Sequence, residues 1–117
     1  MPKPELEFFA PDSIPWQPVP GVAGTEQKIL SEDKTTGNHT RLLRFLPGAD
    51  TRAQGVLRHD HWEEVWIIDG SFEDLTLRKT FSAGMYACRP PGMPHGPWRS
   101  ANGVMTFEIR YYDKASK

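Results

Sequence analysis

Three of the four histidines in this chain fall in two short stretches whose spacing suits metal coordination. The first is His59-Asp60-His61-Trp62-Glu63-Glu64, and the second closes on His95 after Gly84, Pro90 and Gly92. In an extended chain, residues i and i+2 point to the same side. A strand here would therefore converge His59, His61 and Glu63 on one point. Imidazole together with carboxylate is a donor set for Zn, Fe, Mn, Ni or Cu. A His-x-His pair alone says little, because surface strands often carry two histidines. An acid close behind it, and a third histidine aimed by a Pro-Gly turn, make ligation the stronger reading. The acid stays open between two residues. Glu63 shares the parity of His59 and His61, whereas a bulge at Trp62 would turn Glu64 toward the ion instead.

Other side chains could serve a bound molecule. Arg44, Arg58 and Arg110 could hold a carboxylate through paired hydrogen bonds, and so could Arg99 beside His95, although a solvated or ion-paired arginine is the plainer reading of each. Trp62, Trp66 and Trp98 flank the two stretches and read as core or interface, with Trp62 or Trp98 as alternative pocket walls. Cys88 reads as a small buried side chain, and Met85, Met93 and Met105 as packing.

The elements that must position these residues are strands. Ten glycines and eleven prolines in 117 residues favour many turns over long helices. Met105, Phe107, Ile109 and Tyr111 alternate with more polar neighbours, which predicts a half-buried final strand. Leu42–Leu46 ends at Pro47-Gly48, and Glu64–Ile68 ends at Asp69-Gly70, a hairpin signal. Leu75–Arg78 and Met85–Cys88-Arg89 read as further strands, and Asn102-Gly103 as the turn into the last one. Short strands at this spacing predict an all-β, single-domain antiparallel sandwich or small barrel. Residues 1–25 form an irregular arm, with prolines at 2, 4, 11, 15, 18 and 20. Its Phe8, Phe9, Ile14, Trp16 and Val19 need an apolar surface, on this barrel or on a second copy.

Composition narrows the partners. Fourteen basic and fifteen acidic residues give a net charge of −1, with no basic face for nucleic acid. No apolar run approaches a membrane span, and Met1-Pro2-Lys3-Pro4-Glu5 does not read as a signal peptide. Cys88 is the single cysteine, so a reducing, cytoplasmic setting is expected.

The paired stretches resemble the two motifs of the cupins. Gly84, Pro90, Gly92 and His95 match the second motif residue by residue, with Arg99 where the family has Asn. His59, His61, Glu63 and Gly70 match the first, although one residue separates His61 from Glu63 where the family has three or four. The chain is further similar to the ChrR-like cupins through Trp16, Pro20-Gly21, Pro47-Gly48-Ala49 and Glu63-Glu64 through Asp74. This resemblance implies a single cupin jelly-roll barrel of two antiparallel sheets over residues 1–117, with metal motifs at 59–70 and 84–95. It implies one divalent transition metal per chain (Fe, Zn, Mn or Ni), held by His59, His61, Glu63 and His95, or by the histidines alone. Coordination positions left open would admit a small molecule, water or dioxygen. The activity it points to is a non-haem metal-dependent dioxygenase acting on a diketone-like or aromatic ketone. A metal-bound sensor without turnover, and a metal-dependent isomerase or lyase, are its alternatives. It also implies a C2 homodimer.

Overall fold

The computed structural model describes residues 2–112. Among them, nine strands form an antiparallel jelly roll: β1 (Gln17–Pro18), β2 (Thr25–Glu32), β3 (His39–Phe45), β4 (Ala49–Asp50), β5 (Trp62–Asp74), β6 (Lys79–Ser82), β7 (Tyr86–Arg89), β8 (Trp98–Ser100) and β9 (Val104–Tyr111). One sheet runs β1-β2-β3-β9-β5-β7, and the other runs β6-β5-β8-β4. The all-β expectation holds. No helix of the described residues is long and apolar enough to cross a membrane.

Strand β5 belongs to both sheets. Its first half pairs with β9 and β7, its second with β6 and β8, and the register slips between Ile67 and Asp69. Asp69-Gly70 is therefore not a hairpin turn but the bend that carries one strand from sheet to sheet. The hairpin comes later, at residues 75–78, where a strand is expected from the sequence. There the Asp74 carboxylate accepts from the Thr76 and Leu77 amides at 2.9 and 3.0 Å, closing the turn that Leu75-Thr76-Leu77 alone would not signal. Strands β1, β2, β4, β6 and β8 were not apparent from the sequence, being short or, in β2, too polar for a clean alternation.

The interior is divided lengthwise. One end is an apolar core of Phe45, Ala49, Ile67, Phe72, Trp98 and Val104. Phe72 stacks on Trp98 at 4.3 Å, and Phe45 meets Phe72 edge-on at 5.5 Å. The other end is polar, and there β9 departs from expectation. Val104, Thr106 and Glu108 point inward and are buried, while Met105, Phe107, Ile109 and Tyr111 lie on the outer face. The alternation is real, but the barrel buries the polar set because the charged residues of the site need one another there.

The arm folds back on its own chain. Trp16 lies against the Arg44 guanidinium at 4.1 Å and the Lys28 ammonium at 4.8 Å, and Lys28 donates to the Pro11 carbonyl at 3.0 Å. Farther along the same outer face the apolar side chains stay bare. Trp66 is 58% exposed and Tyr86 61%, and Ile68 and Met85 are also exposed. Cys88 is exposed as well, not buried, since it shares the outward parity of Tyr86.

At Gly70 the close approach of strands leaves no room for a side chain. Its φ is +80°, and a Cβ would overlap the Gly103 carbonyl oxygen and lie 2.9 Å from Val104 Cα. Replacing Gly70 with Ala should therefore cost about 3 kcal/mol or more, combining left-handed strain with overpacking against backbone. Urea unfolding of the variant should show a midpoint shift of that size.

Candidate metal centre

The two histidine stretches are joined by backbone pairing. Leu57 and His95 exchange both N–H···O bonds at 2.8 and 3.0 Å, and the Gly92 amide donates to the His59 carbonyl at 2.8 Å. The Pro90-Pro91-Gly92 turn (Gly92 φ +84°) makes this approach possible. His59 and His61 precede β5 rather than lying on it. Their rings nevertheless stack, with centroids 4.6 Å apart and planes within 16°, and His95 lies 4.8 Å from His59. All three expected histidines thus meet in one cluster.

Donor atoms point into it without partners. Nε2 of His59 and Nε2 of His61 are buried with no hydrogen bond. His95 Nδ1 faces the Met93 carbonyl at 3.3 Å, so Nδ1 carries the proton and Nε2 keeps its lone pair. Such a contact commonly fixes the tautomer of a metal-binding histidine. Burial lowers the proton affinity of all three rings, with Arg110 adding for His59 and His61, and Arg89 for His95. His61 falls to about 4. The cluster is therefore neutral at pH 7 and ready to donate lone pairs.

Glu63 completes the group. Ligand atoms of His59, His61 and Glu63 all lie within 4.8 Å of one another. The carboxylate is 2% exposed. Arg89 donates to its Oε1 at 2.8 Å, and Arg110 Nη2 sits 2.6 Å from Oε2. The latter contact is an ion pair without hydrogen-bond alignment, so Oε2 keeps a lone pair free. Burial works to raise the Glu63 carboxyl, but Arg110 and Arg89 outweigh it and hold it at about 2. The two arginines orient the carboxylate and leave it room for one further bond. Two neutral imidazoles and one carboxylate oxygen, from His59, His61 and Glu63, therefore form a donor group that fits a borderline divalent ion, with the His95 ring beside His59.

Glu64 is elsewhere. No bulge interrupts β5 at Trp62, and residues 62–67 pair in regular register with β9. Glu64 consequently faces outward, accepting from the Tyr86 hydroxyl at 2.5 Å and the Tyr111 hydroxyl at 2.8 Å. Those bonds, not an ion, lower its pKa.

Of the arginines that could hold a substrate, only Arg110 faces the cluster. Arg44 pairs with Glu26, Arg99 with Glu73, and Arg58 donates to the Gly92 carbonyl. Sequence reasoning missed Arg41, paired with Glu108 at 2.9 Å, and Arg89. Both sit at inward positions of strands, but a lone arginine on a strand carries no sign of which partner it will meet. Trp98 is buried in the core, beside the Arg89 guanidinium at 5.3 Å, whereas Trp62 stacks on Tyr111. A cavity of about 260 Å³ opens beside the cluster, bounded by Arg41, Arg110, Glu108, His59 and His95 and by apolar Val19, Val22, Leu43 and Leu57.

A profile of the family described as ChrR Cupin-like domain matches residues 5–111. No curated protein matches the chain. Among solved structures, it is similar to an RmlC-like cupin from Shewanella frigidimarina at 19% identity and a TM-score of 0.74, covering 99% of this chain and 98% of that one. It is similar to an acetylacetone dioxygenase from Acinetobacter johnsonii at 17% identity and a TM-score of 0.70, covering 97% and 82%. The polyketide cyclase RemF from Streptomyces resistomycificus matches at 15% identity and a TM-score of 0.72, covering 93% and 81%. At these identities the likeness speaks for the fold.

Two stability predictions follow from the electrostatics. Glu63→Gln leaves the buried Arg89 guanidinium without an anion and Arg110 with only its 3.5 Å contact to Glu108, and should cost about 3–5 kcal/mol at pH 7, while Glu64→Gln should unfold near the wild-type midpoint. His61 has a folded pKa below its ordinary value of 6.5, so its contribution is present above pH 6.5 and is lost as pH falls toward 4. Urea midpoints measured between pH 7 and pH 4 should fall less steeply for His61→Gln than for the wild type.

Proposed function

The chain belongs to the ChrR-like cupin family, and from that we propose that it is a metal-dependent enzyme acting on a small molecule, a dioxygenase for an enolisable diketone-like or aromatic ketone. The observation that carries this reading is the convergence of buried, unpartnered imidazole nitrogens with a pre-oriented carboxylate beside a cavity. His59, His61, His95 and Glu63 would hold the ion, one per chain. A divalent iron, nickel, manganese or zinc ion there would supply Lewis-acid polarisation of a carbonyl oxygen, and a redox-active one would supply electrons to dioxygen. The protein's own residues do the rest. The neutral histidines and the arginine-held Glu63 fix the donors. The apolar wall of Val19, Val22 and Leu57 limits water around a bound ketone. Similarity of fold to an acetylacetone dioxygenase supports the choice of reaction.

We further propose that the bare outer face of β9, β5 and β7 seats a second copy of the chain about a two-fold axis. Trp66, Ile68, Tyr86 and Met85 lie exposed along it, next to the region where Trp16 already docks. An apolar surface of this kind favours association.

Elemental analysis of protein purified without added metal should find one divalent ion per chain. His61→Ala should lose most of it, and Glu63→Gln should lower affinity about tenfold or more, with Glu64→Gln unchanged. Iron with oxygen uptake on diketones would support the dioxygenase. Tightly held zinc with no turnover would instead make the protein a binding module. Light scattering should give twice the 13.3 kDa chain mass, and Trp66→Glu should return it to one.

A further inference from the structure

The charges around the cavity do not balance. Arg41, Arg89 and Arg110 face it, against only Glu63 and Glu108. Arg41 bonds Glu108 at 2.9 Å, Arg89 bonds Glu63 at 2.8 Å, and Arg110 reaches both acids, at 2.6 and 3.5 Å. Three cations therefore share two anions, and the neutral histidines offer no further negative charge. An excess charge walled off from water is costly unless an anion meets it. The missing contact can be located. Arg110 Nε is buried and has no hydrogen-bond partner, on a side chain only 18% exposed. The guanidinium thus has spare donor capacity, and Arg110 lines the cavity together with apolar Val22, Leu43 and Leu57.

We propose that the cavity takes a carboxylate-bearing substrate, an oxo acid with an apolar body, and that Arg110 determines this specificity. The carboxylate accepts from the Arg110 guanidinium, with the Arg41 charge adding to the attraction. The body lies against Val22, Leu43 and Leu57. About 260 Å³ is space for roughly eight water volumes, enough for a short-chain acid or one with a single ring. The proposal rests on the metal-enzyme reading for the oxo group but not for the carboxylate, whose partners are the protein's own.

Calorimetric titration of chelator-treated protein with butanoate, 4-oxopentanoate and benzoate, each against its neutral amide, tests this without turnover. The expected result is that at least one carboxylate binds about tenfold or more tightly than its amide. Arg110→Lys keeps the charge but not the planar fork of N–H donors, and should lose most of that preference, measured under conditions where its urea midpoint shows the variant folded. If no carboxylate outbinds its amide in the wild type, the proposal is overturned whatever Arg110→Lys does, and the metal assignment is untouched. A preference seen only after metal loading, and insensitive to Arg110→Lys, would overturn it too, because the anion would then be bound by the ion. Loss of metal binding in the elemental test, with the carboxylate preference intact in the metal-free protein, would sink the proposed reaction and uphold this one.

Discussion

A carboxylate cannot leave water without something to meet its charge, and Glu63 sits at the centre of the barrel. Arg89 and Arg110 meet it from the strands on either side of β5, one from β7 and one from β9. Arg110 in turn needs Glu108, and Glu108 needs Arg41 on β3. The chain of charges crosses four adjacent strands of one sheet. It explains why one end of that sheet's inward face is polar, why Phe107 and Ile109 of β9 lie outside, and why the apolar core gathers toward the other end of the barrel, where the same strands turn Phe45, Ile67 and Val104 inward.

That arrangement also marks what the sequence could disclose. The histidines and Glu63 were legible because their meeting is encoded locally, by two-residue spacing and a Pro-Gly turn. Arg41 and Arg89 were not, because their partners lie 67 and 26 residues away along the chain. Period-two alternation located β9 but named the wrong side as buried. Alternation reports that a strand has two unlike faces, and the site decides which of them turns inward.

The middle of the chain teaches a related point. Asp69-Gly70 has the composition of a hairpin, yet the strand runs on through it. Gly70 is required there by the Gly103 carbonyl pressed against it rather than by a reversal of direction. The reversal is made by Asp74, whose side chain does the work usually credited to a glycine. The cupin resemblance succeeded where local rules failed, since its glycine positions carry the packing as well as the turn.

The order of the strands has a consequence for how the site comes into being. Strand β9 lies between β3 and β5 in the sheet, yet it is the last of the nine in the sequence. Until it inserts, β3 and β5 have no contact in that sheet, and Glu63 lacks one of its two guanidinium groups. During synthesis the histidines therefore emerge well before the surroundings that hold them neutral and converged. Assembly of the ligand set is a late event, tied to closure of the barrel, and a nascent chain offers a passing metal ion only scattered, solvated imidazoles.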